Sequence, residues 1–134
     1  MLLYIILAYI TWTDLQAYYI PDWACIIIAI LACIQNATAL PILLYGGLCA
    51  AGLMLSLYYS TRWWYKQEAI GFGDVKLITV LGLFFGPLGI LKIAYASILL
   101  AGVYAIGLLL AKQRPAYIPF APFISLSTLG YSLL

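Results

Sequence analysis

Leu88 to Ala111 reads LGILKIAYASILLAGVYAIGLLLA, 24 residues with a single charge, Lys92. About 20 such residues, at 1.5 Å each, cross the ~30 Å hydrocarbon core of a bilayer. The run shows no period-2 alternation, and backbone groups in lipid must bond within their own segment. It therefore reads as a membrane helix and not as a strand. Working outward, further apolar segments lie over about 2–19, 23–35, 40–60, 72–86 and 118–134. The 40–60 segment also reaches spanning length. The 23–35 and 72–86 segments are short, and must be tilted, buried among neighbours, or begin inside the membrane. The expected fold is all-α: a polytopic membrane protein of six transmembrane helices, with residues 1–134 as one domain because no repeat or linker divides them.

Composition supports that class. Hydrophobic residues make up 67% of the chain and charged residues 7%, where soluble domains carry about 25% charged residues. A soluble fold this small has too little interior for so much apolar surface. The net charge of +2, with no basic cluster, is too small to suggest nucleic acid, and no such partner is expected. The three cysteines, Cys25, Cys33 and Cys49, lie in apolar stretches, there is no CxxC pair, and there is no histidine. No metal site and no cofactor are expected, and the cysteines read as small packing residues. Residues Leu2 to Trp12 lack the basic flank of a secretory signal, so the first helix is expected to stay in the mature protein.

The breaks between segments have chemical causes. Ile20-Pro21-Asp22 interrupts the first two, because proline disfavours helix at the residue before it. Gln35 to Pro41 is a short polar turn, Phe85-Gly86-Pro87 a tight turn, and Lys112 to Pro115 a polar loop. The most polar stretch, Ser60 to Glu68, runs into Gly71-Phe72-Gly73. Arg62, Lys66, Lys112 and Arg114 fall in loops on one side, which the positive-inside rule assigns to the cytoplasm. Both chain ends then face outward, and Lys92 can snorkel toward the outer surface. Trp23, Trp63, Trp64 and Tyr65 fall at the cytoplasmic interface, as belt residues or, for Trp63 and Trp64, as substrate contacts.

Four residues are acidic. Glu68 reads as a solvated loop charge. Asp22, beside a proline at a helix start, reads as a helix cap or a supporting group at a site. Asp14 and Asp74 differ, because an ionisable group within a membrane segment points to function. Asp14 lies 13 residues after Met1, and Asp74 lies 12 before Gly86. Each is thus roughly 18–20 Å from the outer end of its helix. The two carboxylates can meet at one depth, toward the cytoplasmic side, and converge on one water. Two close carboxylates in a low-dielectric site hold one proton between them. That is the state in which one takes a proton from water while the other hydrogen-bonds a scissile carbonyl. Gly71 and Gly73 would let an extended substrate approach; otherwise the Gly-x-Gly is only a flexible lead-in, with Asp74 as a cap. Two roles are open to Lys76: neutralising a carboxylate at the site, or reaching lipid phosphate.

With these residues in place, the chain resembles the type IV prepilin peptidases. Ala69-Ile70-Gly71-Phe72-Gly73-Asp74-Val75-Lys76-Leu77 is similar to their GxGD-x-K-L signature. Asp14 followed by Ile20-Pro21-Asp22 resembles the first aspartate motif, and Ile118-Pro119-Phe120-Ala121-Pro122-Phe123 the proline-rich start of the last helix. The resemblance implies an aspartyl endopeptidase cleaving prepilin or pseudopilin leaders after a glycine at the cytoplasmic face, with Asp14 and Asp74 catalytic. It implies a multi-pass protein of the inner membrane, and substrates that are themselves membrane-inserted helices with basic leaders. Two departures stand out. The cysteine-rich region that long members use for N-methylation has no counterpart here, so a peptidase-only form is expected. Leu15 to Tyr19 lacks the basic residue that many members carry after the first aspartate. Two other readings use the same residues: another GxGD protease of preflagellin or presenilin type, and a proton-coupled transporter with Asp14 and Asp74 as a relay.

Overall fold

Prolines and glycines divide the chain. In the computed structural model, residues 1–65, 71–113 and 118–134 are described. They form α1 (Leu2–Ala17), α2 (Asp22–Gln35), a 3-10 turn (Ala37–Ala39), α3 (Leu40–Tyr65), α4 (Phe72–Leu110) and α5 (Ala121–Leu133), with no strand among the described residues. The loop charges Lys66, Glu68 and Arg114 lie outside the described residues. Tyr18 ends α1 in a left-handed conformation (φ 51°, ψ 36°), its N–H bonded to the Asp14 carbonyl. The chain then extends through Ile20 to Pro21, which precedes the first residue of α2.

The six expected helices appear as five elements, because the segments over 72–86 and 88–111 run together into α4. At 39 residues, α4 would measure roughly 58 Å if straight, about twice the hydrocarbon core. It is not straight. Gly86 breaks it with φ 77° and ψ 179°, a backbone conformation open to glycine and costly for any other residue. Pro87 follows and has no N–H to continue the ladder. α4 begins beside the start of α5, reaches Tyr131 near the end of α5 at Phe85 and Gly89, and returns to Phe123 at Tyr104. Its arms, 72–85 and 87–110, therefore run in opposite directions.

α4 is the hub, packing against α2, α3 and α5. The seam with α3 is closest where glycines meet: Gly46 lies against the backbone of Gly82 and Gly86, and Gly47 against Leu83. Tyr58 of α3 packs on Phe72 with ring centroids 5.9 Å apart, so α3 runs antiparallel to the first arm. Arg62, in the last turn of α3, therefore lies at the end of the bundle where α4 begins.

The buried faces follow helical spacing. On α1 they are Leu3, Ile6, Leu7, Ile10 and Asp14; on α2, Ala24, Cys25, Ile28 and Ala32. The outward faces are also apolar, as with Ile26, Ile30 and Ile34 on α2. Two elements, Ala37–Trp64 and Phe72–Leu110, are long and apolar enough to cross a membrane.

Candidate active site

Asp14 is the last member of the buried stripe of α1, four residues beyond Ile10. Asp74 opens the buried stripe of α4, ahead of Leu77, Ile78 and Leu81. Each carboxylate occupies a position that its helix turns inward. Asp14 is 1% exposed and Asp74 3%. Both line a cavity of about 360 Å³, with Tyr18, Tyr19, Ile20, Asp22, Gly71, Phe72, Gly73 and Lys76. Three stretches of chain build this cavity: the end of α1, the Tyr18 to Asp22 connection, and the first turn of α4.

The carboxylates are held differently. Asp14 Oδ2 accepts a hydrogen bond of 3.2 Å from the backbone N–H of Ala121, the first residue of α5. Asp74 Oδ1 is buried and has no hydrogen-bond partner among the described residues. Asp74 does not cap α4 either. Gly71 is the N-cap, without a side-chain bond, and its carbonyl accepts the N–H groups of Asp74 and Val75 at 3.1 and 3.4 Å.

The supporting residues read from sequence all line this cavity. Asp22 is not a cap: Pro21 holds the N-cap position of α2, and no side-chain cap bond is made. Its Oδ1 instead accepts a bond of 2.8 Å from Lys76 Nζ. Lys76 thus neutralises Asp22, with its ammonium 5.3 Å from the Phe72 ring centre. Both partners are well exposed, at 41% and 60% of their side chains, so the pair contributes about 0–1 kcal/mol. Gly73 has a packing reason: a Cβ there would lie 3.2 Å from Ile20 Cβ. Its small size lets the Ile20–Pro21 turn close over the start of α4. Trp63 and Trp64 are 88% and 85% exposed and are not among the cavity's lining residues. No cluster of three or more metal-ligating side chains occurs among the described residues.

Sequence reasoning missed Tyr18, Tyr19 and Phe72 as lining residues. It also missed the Ala121 N–H. A backbone donor leaves no residue-type signature, although the prolines around Ala121 mark a helix start.

The model of the type IV leader peptidase family matches residues 1–106, which carry both aspartates and the Gly71-Phe72-Gly73-Asp74 run. The chain belongs to that family. A type 4 prepilin-like proteins leader peptide-processing enzyme of Escherichia coli O78:H11 is 34% identical over 73 residues, 52% of this chain and 26% of that protein. A prepilin leader peptidase/N-methyltransferase of Aeromonas salmonicida strain A449 is 27% identical over 84 residues, 61% of this chain and 29% of that protein. These matches cover less than a third of the curated relatives' length. No solved structure gives a significant match.

Proposed function

We propose that this leader peptidase family member is a membrane aspartyl endopeptidase that removes the leader of type IV prepilins or pseudopilins, with Asp14 and Asp74 as its catalytic pair. One observation carries the reading. Two carboxylates from different helices, both almost fully buried, line a single cavity. Burial of two acidic groups that make no ion pair among the described residues costs stability, and such groups mark a working site more often than a structural one.

The cavity suits general acid–base hydrolysis. The pair holds one proton between them. The ionised member takes a proton from water, and the water oxygen attacks the scissile carbonyl. The protonated member bonds the carbonyl oxygen, and a proton passes to the leaving amine as the bond breaks. No covalent intermediate, metal or cofactor is part of this reading. Gly71 and Phe72, at the open start of α4, lie where an extended substrate segment would enter.

In this reading residues 1–134 form one membrane-embedded domain whose six helical arms each cross or enter the inner membrane. The cavity faces the cytoplasm. Arg62, at the cavity end of α3, and Lys112, just past the returning arm of α4, support that orientation through the positive-inside rule. The partners are the bilayer and the prepilin substrate.

The test is cleavage of a purified prepilin by the purified chain in lipid vesicles. Release of the leader supports the reading. Aspartate-dependent ion flux without cleavage would replace the peptidase with a transporter.

A further inference from the structure

A hydrogen-bonded seam joins α1 to α5 and ends at Asp14. Leu7, Thr11 and Asp14 share one face of α1, and Ala121 and Ser125 share one face of α5. The hydroxyls of Thr11 and Ser125 bond at 2.9 Å, Ser125 Oγ donates to the Leu7 carbonyl at 3.4 Å, and the Ala121 N–H donates to Asp14 Oδ2 at 3.2 Å. The order 7, 11, 14 against 125, 121 makes the helices antiparallel and fixes their register. That register brings the N-terminus of α5 to the Asp14 carboxylate. α5 lies beyond the residues that the family model matches, so the match does not reach this contact.

Among the described residues Asp74 has no equivalent. Its Oδ1 is buried without a partner among them, and the N–H groups of Asp74 and Val75 are already bonded to Gly71. A bond from an N–H is roughly twice as strong to a carboxylate as to a neutral acceptor, and a helix N-terminus attracts negative charge. A protonated carboxyl group instead needs an acceptor for its own hydrogen, and a substrate carbonyl in the cavity supplies one.

We propose that the N-terminus of α5 is a positioning device that divides the work of the pair: Asp14 is the carboxylate that deprotonates water, and Asp74 carries the proton that goes to the scissile carbonyl. This rests on the peptidase reading. The steps balance. One water proton moves to Asp14 as the water oxygen bonds the carbonyl carbon, and the Asp74 proton moves to the carbonyl oxygen, leaving a neutral gem-diol. The C–N bond then breaks. The amine nitrogen takes the proton from Asp14, and a gem-diol hydroxyl returns its proton to Asp74. The products are an acid and an amine, and the pair is restored.

The test replaces Ala121 by its α-hydroxy analogue during cell-free synthesis of the full chain into nanodiscs. The amide at that position becomes an ester, so the N–H is lost and the Phe120 carbonyl, which accepts from Phe123 and Ile124, becomes a weaker acceptor. kcat should fall roughly 10- to 100-fold, the size expected for losing a bond to a charged group, with KM within about twofold. The same ester at Phe123, whose N–H serves only the Phe120 carbonyl, should have a much smaller effect. Ser125→Ala should lower kcat by loosening the register, and Ser125→Thr should restore it. Equal rates for the two ester proteins would overturn the proposal. A second readout needs no activity: the infrared band of a protonated carboxyl group should disappear in Asp74→Asn and persist in Asp14→Asn. The reverse pattern would overturn the division of roles even in a chain that cleaves leaders, whereas a chain that cleaves nothing but shows the expected pattern would fail only the peptidase reading.

Discussion

Gly46→Ala and Gly52→Ala make the same change six residues apart on one helix, and they should act in opposite directions. In a helix interior, alanine is favoured over glycine by up to about 1 kcal/mol. At Gly52 a new Cβ meets nothing within 4 Å, so this gain should appear nearly whole. At Gly46 the Cβ would lie against the Gly82 carbonyl oxygen, 2.6 Å from Gly86 C and 2.7 Å from Gly86 Cα. These are backbone atoms and cannot rotate away. Restoring an ordinary separation of about 3.4 Å requires α3 and α4 to part by roughly 1 Å. Overpacking of this kind costs about 1–3 kcal/mol. Set against the helix gain, Gly46→Ala should be destabilised by up to about 2 kcal/mol, and the two variants should differ by about 1–3 kcal/mol. Reversible unfolding in mixed micelles or bicelles measures the difference. Equal stability of the two variants would refute the close α3–α4 seam, and with it the placement of the α4 break against α3.

Asp22→Asn and Lys76→Met should each change stability by less than about 1 kcal/mol, because the pair is exposed. Asp22→Asn should retain most leader cleavage, and a loss as large as that of an aspartate of the pair would move Asp22 into the chemistry. Cleavage should continue in a strong chelator, since the chain has no histidine. Inhibition reversed by added metal would overturn the two-carboxylate mechanism.

Much of this architecture is legible in the sequence, because lipid demands long apolar helices and proline or glycine marks where they break. The Asp14 and Asp74 positions are legible for the same reason, since a carboxylate in line with Ile10 or with Leu77 and Ile78 must turn inward with them. Gly86-Pro87 reads as a turn, and it does reverse the chain, but helical backbone resumes at once on both sides. Asp22 beside Pro21 carries the pattern of a cap; only the packing of α2 on α4 brings Lys76 to it. The role of Gly73 likewise depends on Ile20, 53 residues earlier, folding over it. Such long-range partners leave no local trace.

The central claim is that one site built from Asp14 and Asp74 performs the hydrolysis. Its most direct test is the single-turnover rate of leader cleavage by purified wild type, Asp14→Asn and Asp74→Asn, each reconstituted in the same lipid and each shown to keep the wild-type unfolding midpoint within a small margin. Asparagine keeps the shape of the side chain and removes its ability to take or give the proton. Each variant should lose at least about 100-fold, the lower range for a general acid or base, and the double variant should be hardly worse than either single one, because the two act as a unit. A folded variant of either aspartate that cleaves the leader at the wild-type rate would contradict the account.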